Sequence, residues 1–273
     1  MLKIIIAFDG QHFAEGALSM ARWLNDRNPV LVTGIFLSPV DYREIIGYSG
    51  MGMGAPVFTL PIDSDDTLVN ETMQKFSDYC TKHQLEHTLH KDTDLFAIGE
   101  LIQETRFADC LIISSELFYE NINKDQPNEY LRKTLHEAEC PVLLVPEKFD
   151  APETVLLSYD GKASSVYAIK QFAYLFPDCC NMGTLLFNTG DDGNHLPNED
   201  LVEELAGRHF QPITIEKVAV QNREQMNKWM AGKKNAILVS GAFGRGELST
   251  MLKKSFITDV IKEHRIPVFV AHR

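Results

Sequence analysis

The sequence has little that would hold a polyanion or a membrane. Its 273 residues carry 38 Asp and Glu against 26 Lys and Arg, a formal net charge of −12, and no basic cluster exceeds two or three residues. Binding a nucleic-acid backbone or an anionic membrane surface needs clustered cations, so neither partner is expected. Long hydrophobic runs are also missing. The apolar stretch Leu2 to Phe8 stops at Asp9, too short for a signal core or a membrane span. The five cysteines, Cys80, Cys110, Cys140 and the adjacent Cys179 and Cys180, lack C-x-x-C spacing. They read as reduced, buried thiols of a cytosolic protein rather than as a disulfide framework.

Several catalytic signatures are absent as well. Gly241 to Leu248 approaches a P-loop, but Glu247 and Leu248 stand where its lysine and its magnesium-binding hydroxyl belong. No G-x-G-x-x-G follows a strand, and Ser114 and Ser115 lack the G-x-S-x-G context of a hydrolase nucleophile. Asp-Gly after the first strand does not by itself supply the acidic cluster and lysine of a phospho-receiver. His83, His87 and His90 could share a helix face, but Gln84-Leu85 reads as a change from helix to strand, which sends His87 and His90 to opposite faces. Asp63, Asp65 and Asp66 suit the first turn of a helix, and 189-TGDDGNH-195 lacks calcium-loop spacing. A turnover enzyme is not expected. A slow ATPase without a convincing general base is the most these residues offer.

What is present is a repeat. The segment 4-IIIAFDGQHFAEGALSMARWL-24 lies over 155-VLLSYDGKASSVYAIKQFAYL-175 without a gap, matching Asp9 to Asp160 and Gly10 to Gly161. A second block matches 109-DCLIISS-115 to 235-NAILVSG-241, and 140-CPVLLV-145 to 266-IPVFVA-271. The chain therefore divides into a first unit, 1–149, and a second, 150–273, joined by the polar link 147-EKFDAPET-154. The first carries extra length between Ser38 and Asp66. Within it, the glycine- and methionine-rich stretch Gly47 to Pro56 reads either as disordered chain or as a lid or partner contact.

Within each unit, strand-length apolar runs alternate with helical periodicity. Lys3–Phe8, Pro29–Leu37, Glu86–Lys91, Asp109–Ser114 and Val142–Val145 read as strands. Ala14, Ala17, Leu18, Ala21 and Leu24 mark one helical face, and Thr67–His83, Phe96–Thr105 and Glu129–Glu137 read as further helices. Parallel strands need crossover helices, so each unit is predicted as a small doubly wound five-stranded α/β domain.

These residues resemble the universal stress protein family. The apolar strand ending in Asp-Gly, the late strand running into G-x-x-G, nine residues, a serine, an amphipathic helix and a final Pro-Val strand carry the likeness, twice over nearly the whole chain. The resemblance implies an adenine-nucleotide alpha-hydrolase-like fold and a role in stress response. It also implies that the final strands, 142–145 and 268–271, bring the two units together as an internal pseudo-dimer, leaving homodimerisation open. Nucleotide-binding members carry G-x-x-G, nine residues, then G-[S/T]. Here Gly241 and Gly244 are followed by Arg245 to Lys253 and then Lys254-Ser255, so one glycine is replaced.

The chemistry of that motif can be stated independently. Glycines beyond a strand end let backbone N–H groups approach phosphate oxygens, and a serine opening a helix adds its hydroxyl where the dipole favours an anion. By the resemblance, Asp160 contacts the nucleoside. Lys254 cuts both ways: in a left-handed backbone it costs roughly 1–2 kcal/mol, whereas otherwise its ammonium, with Arg245, neutralises phosphate charge. The expected ligand is ATP, with magnesium, in the second unit. The alternative is a protein-interaction module whose loop is architecture only. In the first unit, Ser115 and Phe118 occupy the glycine positions and Asn128-Glu129 the G-[S/T] pair. A glutamate there repels phosphate, so no nucleotide is expected in that unit, and Asp9 reads as a turn residue.

Overall fold

A computed structural model describes residues 1–8, 13–37, 66–92, 97–116, 134–188, 195–218, 223–241, 256–263 and 265–271. The elements are β1 (Leu2–Phe8), α1 (Glu15–Asn25), β2 (Val30–Leu37), α2 (Asp66–Lys82), β3 (Glu86–Asp92), α3 (Ala97–Thr105), β4 (Cys110–Ser114) and β5 (Val142–Val145). A second series follows: β6 (Thr154–Ser158), α4 (Ala163–Leu175), β7 (Gly183–Asn188), α5 (Glu199–His209), β8 (Ile213–Lys217), α6 (Arg223–Ala231), β9 (Ala236–Gly241), α7 (Phe256–Lys262) and β10 (Val268–Ala271). Residues 134–137 are also helical. The strand and helix expectations agree with these bounds within a residue or two wherever the chain is described.

The ten strands form one sheet in the order β3-β2-β1-β4-β5-β10-β9-β6-β7-β8. Every neighbouring pair is parallel except β5 and β10, which run antiparallel with Val268 opposite Leu144 and Val270 opposite Val142. Each half thus has the same strand order, and the halves meet through their last strands, as the resemblance implied. No helix among the described residues is long and apolar enough to cross a membrane.

The continuous apolar run of β1 follows from burial on both faces: Ile4 to Phe8 are all 0% exposed. Successive side chains alternate between two helix layers. Ile4, Ile6 and Phe8 join Ala17, Leu18, Ala21 and Leu24 of α1 on one side, in a core that continues into Val155, Leu157 and Phe172 of the second half. Ile5 and Ala7 face the other layer with Leu101 and Ile113, and that core reaches Leu156, Met226 and Ile261. Both cores cross the β5–β10 seam, so the halves share their interiors.

β3 resolves the histidine question. His87 lies against α2, with Nε2 3.1 Å from Ser77 Oγ, while His90 faces α3 and holds Glu104 at 2.8 Å. The two rings take different partners on opposite faces, as the strand period requires. Among the described residues no group of three His, Cys, Asp or Glu could hold a metal ion. Asp66 opens α2. The Gly47–Pro56 stretch, Asp63, Asp65 and 189–194 lie outside the described residues.

Candidate functional site

In an open sheet the ligand crevice forms beyond the carboxyl ends of the strands where the strand order reverses. In the second half that point lies between β6 and β9, which are paired with Leu157 opposite Val239. Asp160 follows β6, and Gly241 ends β9. The structure therefore brings two of the sequence-predicted site residues to the same end of adjacent strands. Gly244, Arg245, Lys254 and Ser255 lie outside the described residues.

Asp160 is held by its own turn. Its Oδ1 accepts hydrogen bonds from the Ser165 hydroxyl at 2.7 Å and from the Lys162 N–H at 3.0 Å. Oδ2 has the Lys162 ammonium at 3.7 Å, and the carboxylate side chain remains 52% exposed. One oxygen thus fixes the side chain and the other is open to an additional donor, such as a sugar hydroxyl. Gly161 sits at φ 79°, and a Cβ there would lie 2.6 Å from Pro197 Cβ, so both backbone and space call for glycine.

Behind Asp160 the chain is braced. The Tyr159 hydroxyl donates to the Pro197 carbonyl at 2.6 Å, and the buried Asn188 amide donates to the Tyr159 carbonyl at 2.8 Å. These contacts tie the segment before α5 and the end of β7 to the end of β6. Gly241 has a second reason for being glycine: a Cβ would lie 2.5 Å from the Ser164 carbonyl carbon and 2.6 Å from Ser165 N, in the first turn of α4. Sequence reasoning missed Ser165, Tyr159 and Asn188. The first-half counterpart of Ser165 is Ala14, so the repeat gave no signal for it.

The corresponding end of the first half carries acidic side chains. Ser115, aligned with Gly241, donates its hydroxyl to Glu116 Oε2 at 3.0 Å, and the same oxygen accepts the Glu147 N–H at 2.9 Å. Glu147 Oε2 faces the entry to α1, 3.4 Å from Gly16 N. Gly16 permits this approach because a Cβ would fall 1.9 Å from the Pro146 carbonyl oxygen. Burial pushes the Glu147 carboxyl above its ordinary value, against hydrogen bonds from the Ser114 hydroxyl and the Gly16 amide, with the Glu116 charge adding to the rise. Phe118, Asn128, Glu129 and Asp9 lie outside the described residues.

A raised carboxyl pKa means the folded state holds the proton more tightly than the unfolded chain. Its stabilising effect is therefore present at low pH and is lost as pH rises from the ordinary carboxylate range through the folded value. Glu147→Gln removes that loss. The variant is expected to melt higher than the parent at pH 7, with the difference shrinking towards pH 4. Thermal denaturation across that range checks it, and a difference that does not vary with pH would assign Glu147 no such role.

No protein-family model and no curated protein matches the sequence. Solved structures do match. A universal stress protein from Archaeoglobus fulgidus DSM 4304 aligns over 100% of this chain and 96% of its own, with a TM-score of 0.66 at 14% identity. A functionally unknown protein from Pseudomonas aeruginosa PAO1 aligns over 100% and 92%, with a TM-score of 0.57 at 11% identity. A third, from Pseudomonas aeruginosa UCBPP-PA14, whose description also names the universal stress proteins, gives 100%, 93%, 0.53 and 11%. The chain thus has the fold of universal stress proteins over its whole length.

Proposed function

We propose that the chain is a nucleotide-binding regulator of stress response, taking one ATP-type ligand in its second half. The observation that carries this reading is the placement of Asp160 and Gly241 at the same end of adjacent strands at the strand-order reversal, where the Asp160 carboxylate is half-exposed beside the Lys162 ammonium. Asp160 would accept hydrogen bonds from the nucleoside. The main chain from Gly241 to Gly244, with Ser255, would hold phosphate oxygens, and Arg245 and Lys254 would balance their charge together with magnesium. The first half offers Glu116 and Glu147 at the matching end, which repel an anion and favour a single nucleotide per chain. All five cysteines are free and buried, in keeping with a reducing cytosol.

Asp160→Ala is expected to weaken ATP about tenfold, the loss of one charge-assisted hydrogen bond worth about 1.5 kcal/mol. Glu147→Gln, in the other half, leaves the affinity unchanged. Equilibrium titration of the two variants checks both. Equal affinity for Asp160→Ala and the parent would move the nucleotide away from this crevice.

A further inference from the structure

We propose a second ligand site, for a small organic anion, at the opposite end of the second half. A groove of ≈ 440 Å³ opens at the amino ends of β6, β7 and β8, below the end of α6. That volume suits a small metabolite. Leu156, Leu185 and Pro212 supply apolar lining, and Lys233 and Lys234 line the groove as well. No acidic residue lines the groove, although the whole chain carries −12.

The first half serves as an internal control, because the repeat gives each groove position a counterpart. Lys3 of β1 matches Thr154, Leu31 of β2 matches Gly183, and Glu104 of α3 matches Met230. In the first half these side chains occupy the corresponding end: Lys3 Nζ lies 4.0 Å from Glu104, which also holds His90 at 2.8 Å. In the second half a lysine has become threonine, a leucine glycine and a glutamate methionine. The first two changes open space, and the losses of the Lys3 ammonium and of the Glu104 carboxylate cancel in charge. Phe107 and Ala108 become Lys233 and Lys234, which adds two positive charges to the same place.

Both lysines line the groove. Lys233 Nζ sits 4.5 Å from the Trp229 ring centroid, a cation–π contact that limits its wandering. The turn ending α6 uses the Trp229 and Met230 carbonyls as acceptors for Gly232 N and Lys233 N, at 3.3 and 2.9 Å. These bonds fix the main chain of the turn that carries both lysines. The chemistry recognised is a carboxylate or phosphate head on a short acyl or aryl body, the head on the lysines and the body on the leucines and proline.

Gly183 provides a clean block. Its φ is not positive, and a Cβ there meets only Thr154 Cγ2, at 3.8 Å, so a larger side chain is accommodated while filling the groove. Amide NMR of the full chain is the experiment, with hexanoate, phenyl phosphate, inorganic phosphate and 1-hexanol as probes. Hexanoate or phenyl phosphate is expected to shift Gly183, Thr184, Lys233 and Lys234 saturably at millimolar concentration, with the preferred one identifying the head group. Gly183→Leu abolishes the shifts at an unchanged melting temperature, and the Lys233→Glu/Lys234→Glu double variant weakens binding at least about tenfold. No saturable shift from either probe, shifts that persist in Gly183→Leu, or hexanol binding as tightly as hexanoate would overturn the proposal. Saturating ATP leaves these shifts unchanged if the two ends bind independently, and competition would likewise contradict a separate site.

Discussion

Phe269→Ala is expected to lower the unfolding free energy by about 3–5 kcal/mol. Phe269 is 0% exposed in β10, a strand of only four residues, and sits opposite Leu143 of β5 at the seam. Its ring meets Phe172 edge-on at 5.3 Å and Phe176 at 6.0 Å. Removing it leaves a cavity in a core shared by both halves and forfeits aromatic contacts worth about 0.5–1.5 kcal/mol. Because the core crosses the seam, the loss is expected within one cooperative transition. Phe107→Ala, at a residue 65% exposed, should change stability by less than about 0.5 kcal/mol. Chemical denaturation followed by tryptophan fluorescence reports on both halves, since Trp23 lies in one and Trp229 in the other. Two separate transitions, with only one shifted by Phe269→Ala, would contradict a shared core.

Gly241→Ala is the second large effect. The added Cβ would meet the Ser164 carbonyl carbon at 2.5 Å, Ser165 N at 2.6 Å and the Ser164 carbonyl oxygen at 2.7 Å. These are main-chain atoms, so no rotamer relieves the overlap, and β9 or the first turn of α4 must shift. The expected cost is about 1–3 kcal/mol. A shift of that turn also strains the 2.7 Å bond from Ser165 to Asp160, so nucleotide affinity should fall together with stability. Gly207→Ala is the control: it lies in α5 with nothing within 4 Å of its Cβ, and gains about 0.5–1 kcal/mol. A Gly241→Ala variant as stable as the parent would show that α4 and β9 are not locked together.

The fold was legible where local pattern decides it. Lys3–Phe8 read as a buried strand because Ile4 to Phe8 offer no polar face, and α1 buries the alanines and leucines that its period singled out. The strand order was not legible in the same way, since periodicity identifies strands without saying which are neighbours. That the final strands of the two halves meet came from family resemblance alone, and their antiparallel direction from the structure.

The candidate site was legible at Asp160-Gly161, where the repeated Asp-Gly marks a turn that needs φ > 0. Gly241 shows a limit of such reading: phosphate approach and close helix packing both demand glycine, and the sequence cannot separate them. Glu147 was hidden because it reads as part of a polar link, whereas its carboxyl faces Gly16 from 131 residues away. The amino-end groove was hidden too. The changes from Lys3 to Thr154 and from Leu31 to Gly183 acquire meaning only once β6 and β7 are known to lie side by side.

The most direct test of the central claim is calorimetric titration of the nucleotide-stripped chain with ATP and magnesium, beside a Gly244→Asp variant. The account predicts saturable binding at one site per chain, lost when a carboxylate is placed in the loop. No heat and no thermal stabilisation at millimolar ATP would contradict it, leaving the crevice as architecture and the chain as a protein-interaction module. Two sites per chain would contradict the exclusion of nucleotide from the first half.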